Sequence, residues 1–528
     1  MAERTQPVTA LTALAGWGAI ALLLTVSLGS LLAVWINTDI SAGFNPADFR
    51  IIRFTVTQAF FSALISVVLS VPVARALARH DFKGRQFFIT FLGASFILPV
   101  IVAVFGILAI WGRSGLFSSI LTTTGQQPLN IYGMTGIILA HVFFNLPLAT
   151  RLVLQGWLSV PTEHFRLCAQ LGMTAKDVIK HIERPILHAT LPSAFLTIFL
   201  LCITSFAVAL TLGGGPRATT VELAIYQALR FDFDLPKAAL FATFQFMLCT
   251  GIALIALPLT KPTTFSIGLD RPAKRWDRVS KFQKYRDLCL LILTGLFLFL
   301  PLSAIMLKGI QHLSKLPASV ITASINSIII SLTSATICIG LALIISSLIV
   351  RLTQRNPRIA HLIEGISFLS LVASPFVIGT GLFIMIFPFV SPFKLALPIT
   401  ALVNAVMALP FAIRIILPAM QRAETNYGRL ADNLGMSQWA RFQLAIWPRL
   451  KPSAGFAMGL AAALSMGDLG VIALFAAPDS ATLPLTMYRL MASYQTDAAS
   501  AVALMLITIS LGLFWIFDQG GRIESRIR

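Results

Sequence analysis

Continuously apolar runs of about 20 residues alternate with short polar stretches along the whole chain, without the period-2 alternation of barrel strands. A helix of that length crosses ~30 Å of hydrocarbon and satisfies its backbone internally where no water can. The pattern predicts twelve spans, near residues 11–36, 54–78, 91–111, 132–154, 190–212 and 238–259, then 288–308, 321–349, 366–389, 395–418, 453–476 and 498–517. The expected fold is an all-α polytopic membrane protein. The first run lacks a small-residue cleavage pattern after a short core, so it reads as a retained span.

The pattern is written twice. Leu171-Gly172-Met173 returns as Leu434-Gly435-Met436, 263 residues on in a chain of 528. Pro147 and Pro410, Arg151 and Arg414, Thr174 and Ser437, Pro185 and Pro448, Ser205 and Asp468 keep the same offset. Six spans per half give both halves one orientation, so they should be parallel repeats about an axis along the membrane normal. The expected division is 1–50 for the first helix and its outer loop, and 51–260 for the first permease module. A linker follows at 261–287, the seventh helix and its loop at 288–320, and the second module at 321–528.

Composition agrees: 57% of residues are hydrophobic and only 12% charged, too little polar surface for a soluble chain of this size. The net charge of +19 could suggest nucleic acid, but the basic residues cluster in alternate loops. These hold Arg75, Arg79, Lys83 and Arg85; Arg151 through Arg184; Lys261 through Arg286; Arg351, Arg355 and Arg358; Arg414 through Lys451; and Arg522, Arg526 and Arg528. That asymmetry marks cytoplasmic loops and puts both termini inside. The Lys261–Arg286 stretch reads as a solvated connector near anionic headgroups. The five cysteines are scattered, and the seven histidines never form the close pair plus carboxylate of a zinc site.

The loop after the fourth span of each half has an ordered pattern. Pro161 through Arg166 should open a short helix with Thr162 as its cap and Glu163 at its positive end. Gly172 should stop it. Thr174-Ala175-Lys176-Asp177 reads as a capping box that starts a second helix, and Pro185 should end that one. Thr425, Gly435, Ser437 and Pro448 are expected to repeat these devices. A helix, turn and helix at this place read as a docking surface.

A Gly followed thirteen residues later by Pro, before the penultimate span, resembles the EAA signature of binding-protein-dependent ABC importer permeases. By that resemblance the first copy keeps Gly172, Ile182 and Pro185, and the second Ala431, Gly435 and Pro448. The family's Glu position is Arg166 in one copy and Arg429 in the other. Its small pair is Leu167-Cys168 and Leu430-Ala431. The family's carboxylate contact with the ATPase therefore cannot be carried over, and an arginine there would need an acidic partner. Fused halves resemble the ferric-iron and thiamine branches. The segments Ile97–Leu108, Leu139–Pro147, Leu212–Leu229 and Ser465–Phe475 look like the thiamine branch.

The resemblance implies two copies of a separate ATP-binding subunit, which would hold ATP and Mg, on the cytoplasmic loops, and a periplasmic thiamine-binding protein on the outer face. This chain has no P-loop: no Lys follows a Gly anywhere in it. It is expected to be an inner-membrane transport subunit, not an enzyme, with no cofactor or metal of its own.

Path residues are harder to choose. Asp468 stands in an apolar run, roughly 24 Å along its helix from Pro452, either lining a path for the cationic thiazolium or bonded to nearby backbone between Gly467 and Gly470. His141 and Asn145 share a helix face and read first as helix–helix hydrogen-bonding groups. Around Gly213–Lys237 and Ala477–Asp497, two Thr-x-x-Leu-x-x-Tyr runs end at Tyr226 and Tyr488, as interfacial helices or partner contacts. Glu222 could meet cationic cargo at the outer mouth, but an exposed loop is the favoured reading. An ion-coupled secondary transporter would carry several intramembrane carboxylates at matched positions, and Asp468 pairs only with Ser205. Ferric iron is the alternative cargo, given little support by six tyrosines.

Overall fold

The computed structural model describes residues 10–37, 43–80, 82–94, 97–158, 160–259, 281–367, 369–477 and 480–526. Most of the expected linker, residues 261–280, lies outside the described residues. The principal helices are α1 (Leu14–Ile36), α2 (Pro46–Arg79), α3 (Val100–Trp111), α4 (Met134–Leu158), α5 (Thr162–Gln170), α6 (Lys176–Ile203), α7 (Val221–Gln227) and α8 (Leu235–Leu259). The second half adds α9 (Lys281–Gln311), α10 (Ser319–Arg355), α11 (Pro375–Ile386), α12 (Ala396–Asn433), α13 (Trp447–Met466), α14 (Leu483–Ala492) and α15 (Thr496–Arg526).

Among the described residues, eleven helices are long and apolar enough to cross a membrane, one fewer than the sequence predicts. The ninth predicted run, near 366–389, is the one that falls short of that length. There the chain breaks at Ser374-Pro375, and only the 12-residue α11 remains as an apolar helix. Pro375 has no N–H to donate, so it sits at the start of the new helix, where Ser374 accepts from the Val377 N–H at 3.2 Å.

The halves are built alike. In the first, α2 packs on α4, and α6 on both; in the second, α10 packs on α12, and α13 on both. The first helix of each half crosses to the other. Helix α1 lies against α10 and α11, while α9 lies against α2 and α3 as well as α15. Leu23 and Val34 are thus buried in one core with Ile345 and Phe376, and Leu291 and Leu298 with Ile107 and Phe143. His80 at the end of α2 meets Asp287 of α9 at 3.2 Å.

Helix ends differ from the expected pattern at two places. Pro185 and Pro448 end nothing: each follows a wide π turn, Ile179–Glu183 and Arg441–Ile446, and the helix runs on. A proline ring clashes with the carbonyl four residues back, and the extra residue in a π turn shifts that carbonyl aside. Thr425 starts no helix either. It lies inside the 38-residue α12, its hydroxyl donating to the Gln421 carbonyl at 2.8 Å.

Candidate functional site

The two repeated loops close on the same turn. Gly172 and Gly435 stand at φ +64° and +62°, which an L side chain resists. The Met173 N–H donates to the Cys168 carbonyl at 3.0 Å, and Met436 to Ala431 at 3.0 Å, satisfying carbonyls that the helix end would orphan. The residue at the cap of α5 is Pro161, not Thr162, which is already the first helical residue. Ser437 does cap its helix, accepting from the Ala440 N–H at 3.3 Å. At Thr174 the box is half formed: its N–H and hydroxyl both donate to Asp177, at 2.9 and 2.7 Å. Those donors hold the Asp177 carboxyl below its ordinary range.

The loops are held differently beneath. In the first, Phe165, Cys168 and Val178 form a small apolar core with Ile182 partly buried against it. In the second, Gly428 replaces Phe165 and Arg441 replaces Val178. The Arg441 guanidinium pairs with Glu424 and, at 2.6 Å, with Asp432. What points outward is repeated: Arg166, Leu167 and Leu171 in one copy, Arg429, Leu430 and Leu434 in the other, all exposed. Glu163 and Arg166 also line a shallow 350 Å³ depression with Leu167 and Gln170. Apolar leucines beside an exposed arginine make a face suited to a partner with an apolar cleft and an acidic rim.

Each loop is tied to the second helix of its half. Glu183, buried under the first loop, binds Arg75 at 2.8 Å and Arg79 at 3.5 Å, both on α2. In the second half Arg351 of α10 donates to Gln438 at 3.2 Å.

At the far end of α6 the two Tyr-ended runs are helical, as the interfacial-helix alternative has them. Within Gly213–Lys237 and among the described residues of Ala477–Asp497 lie the short helices α7 and α14. Both are fixed alike: the Val221 N–H donates to Thr55 at 3.0 Å, and the Leu483 N–H to Ser327 at 2.8 Å. Tyr226 is buried and Tyr488 partly so. Glu222 is 0% exposed, so the exposed-loop reading is overturned; its neighbours are α8 and the start of α11, which the local sequence does not reveal.

Asp468 lies just past α13; its Oδ1 accepts from the Gly470 N–H at 3.1 Å, and its Oδ2 is buried without a hydrogen-bond partner among the described residues. His141 bonds Ser62 at 3.1 Å and Asn145 bonds the Cys202 sulfur at 3.3 Å; both contacts join helices.

Residues 342–522 match the family described as binding-protein-dependent transport system inner membrane component. Over 517 residues, 96% of this chain and 94% of the relative, the sequence is 38% identical to the thiamine transport system permease protein ThiP of Brucella abortus (strain 2308). The chain belongs to the ThiP family of binding-protein-dependent permeases. Its likeness to the ThiP proteins of Salmonella typhimurium (strain LT2), at 36%, and Escherichia coli (strain K12), at 35%, covers 98% of each chain.

A permease of this family is a transport subunit in a membrane and works with a substrate-binding protein and an ATPase. The sequence did not single out Glu183 or Arg441 among the basic loops. One signal was present: at the 263-residue offset Phe165 and Val178 become Gly428 and Arg441 together, a paired change that marks a contact.

Proposed function

We propose that this permease moves thiamine, or its phosphate esters, from the periplasm to the cytoplasm across the inner membrane, with both termini cytoplasmic. Two copies of a separate ATPase, which bind ATP and Mg, dock on the Gly172 and Gly435 loops. A periplasmic thiamine-binding protein delivers cargo to the face bearing α7 and α14. The observation that carries the docking assignment is the pair of identical Gly turns presenting Arg-Leu…Leu faces 263 residues apart. The thiamine assignment is supported by relatives named for thiamine transport at 35–38% identity over nearly the full length.

The mechanism follows from how the loops are tied. Closure of the ATPase pair draws the loops together, and Glu183 with Arg75 and Arg79, like Gln438 with Arg351, passes that movement to α2 and α10. The halves then rock between inward-open and outward-open states.

The test is uptake of labelled thiamine by cells lacking their own importer and supplied with this chain, its binding protein and its ATPase. Proline cannot adopt the φ of +64° at Gly172. Gly172→Pro should abolish uptake while the chain still reaches the membrane. A correctly assembled wild-type complex that takes up no thiamine would overturn the cargo.

A further inference from the structure

Glu222 is buried beside two glutamines. Its Oε1 accepts from Gln245 Nε2 at 3.1 Å, and the same Nε2 donates to the Ile203 carbonyl at 3.3 Å. Gln58 Nε2 donates to the adjacent Cys202 carbonyl at 3.2 Å. Glu222 Oε2, Gln245 Oε1 and Gln58 Oε1 are all buried without a hydrogen-bond partner among the described residues. Three orphaned acceptors, one on a carboxylate, gather where α6 ends and presents its negative pole. Apart from the Ser374 hydroxyl beside the Glu222 carboxylate, such a cluster is short of donors and has an excess of negative potential, and leaving it so is costly.

The architecture does not require the acid. Thr220 caps α7, accepting from the Leu223 N–H at 3.4 Å, Thr482 stands at the matching position of α14 without a side-chain cap bond, and each helix is anchored by a hydroxyl from the second helix of its half. In that alignment, 262 residues on, Glu222 becomes Pro484 and Gln245 becomes Ile507. The same helix is thus built in the second half with no polar pair at all.

The cluster adjoins the seam between halves. Ser374, at the start of α11, lies beside the Glu222 carboxylate. The Phe206 ring meets Phe376 of the other half at 4.2 Å, tilted by 45°, and Tyr226 edge-on at 5.3 Å. A carboxylate next to clustered aromatic rings is the recognition chemistry of an organic cation.

We infer that Glu222, with Gln58 and Gln245, forms a binding site within the permease for a cationic, N–H-bearing organic cargo, which enters between Phe206 and Phe376 as the halves part. The inference rests on the thiamine reading given above. The thiazolium would lie against the carboxylate and rings, and the amino group would donate to the glutamine oxygens.

The test uses the full complex with ATPase and binding protein in proteoliposomes, comparing thiamine uptake and binding-protein-stimulated ATP hydrolysis. Glu222→Gln should lower uptake more than tenfold with stimulated hydrolysis within twofold of wild type, and Glu222→Asp should recover part of the uptake. Uptake by Glu222→Gln within twofold of wild type would overturn the site and leave the cargo standing. Absence of uptake by wild type would overturn the cargo instead. A second measurement needs no variant: during ATP turnover, millimolar thiamine should slow dicyclohexylcarbodiimide labelling of Glu222 in the wild-type complex at least threefold. Labelling at Glu222 that thiamine does not slow would overturn the site, including where Glu222→Gln fails to assemble.

Discussion

The Arg441 guanidinium occupies the space that a side chain at Gly428 would fill: a Cβ there would lie 2.6 Å from Arg441 Nη2. At the matching positions of the first half, Phe165 packs against Val178. One repeated loop has been built twice on different chemistry.

The two solutions should be exchangeable only as pairs. Arg441→Val leaves Glu424 and Asp432 without their cation and should cost about 1–3 kcal/mol. Gly428→Phe alone should cost about as much through overpacking. The double substitution installs the first half's apolar pair and should recover part of the loss. Thermal unfolding of the purified complex across the four-member cycle would measure the coupling, and strict additivity would refute it.

The Gly turns offer a cleaner case, because nothing lies within 4 Å of a Cβ at Gly172 or Gly435. The penalty for Ala there is therefore the backbone's alone, about 1–2 kcal/mol. Asn tolerates positive φ better, so Gly172→Asn should be milder than Gly172→Ala in melting temperature and in ATPase stimulation. Equal effects would mean that something other than φ holds the turn.

Glu183→Gln keeps the shape of the strut but removes its charge. Arg75 and Arg79 then share a neutral acceptor, and the complex should lose about 2 kcal/mol. The binding protein should stimulate hydrolysis while uptake per ATP falls several-fold. A variant with an unchanged ratio of uptake to hydrolysis would remove Glu183 from the transmission path.

Asp468 should tolerate Asn, since an amide oxygen can still accept from the Gly470 N–H. Asp468→Ala loses that bond and should cost about 1 kcal/mol. Uptake by Asp468→Asn near the wild-type rate would fit the backbone role; a large loss with unchanged stability would return Asp468 to the translocation path.

The sequence was most legible where the backbone dictates the residue. Gly172 and Gly435 answer to a positive φ, and Ser437 to an open helix end, so both could be read locally. Pro185 and Pro448 misled because a π turn leaves no mark in a hydrophobic pattern. Glu222 misled for another reason. Its flanks, from Gly213 to Lys237, are rich in turn residues, while its burial comes from Gln245 and Ser374, far along the chain. Near 366–389 the described residues hold only the shorter apolar helix α11 for a similar reason: the run is apolar enough, but Pro375 splits it, leaving a helix as long as α3 of the first half.

The exchange of α1 and α9 between halves bears on how the protein is made. Helix α1 leaves the ribosome roughly 300 residues before α10, its neighbour, so it must wait in the bilayer without its final contacts. The early half gains its missing wall only when α9 arrives, and α1 finds its groove only when α10 and α11 follow. Neither half is therefore a self-sufficient folding unit. Carrying both on one polypeptide ensures that the two are synthesised in equal number and in the order their embrace demands.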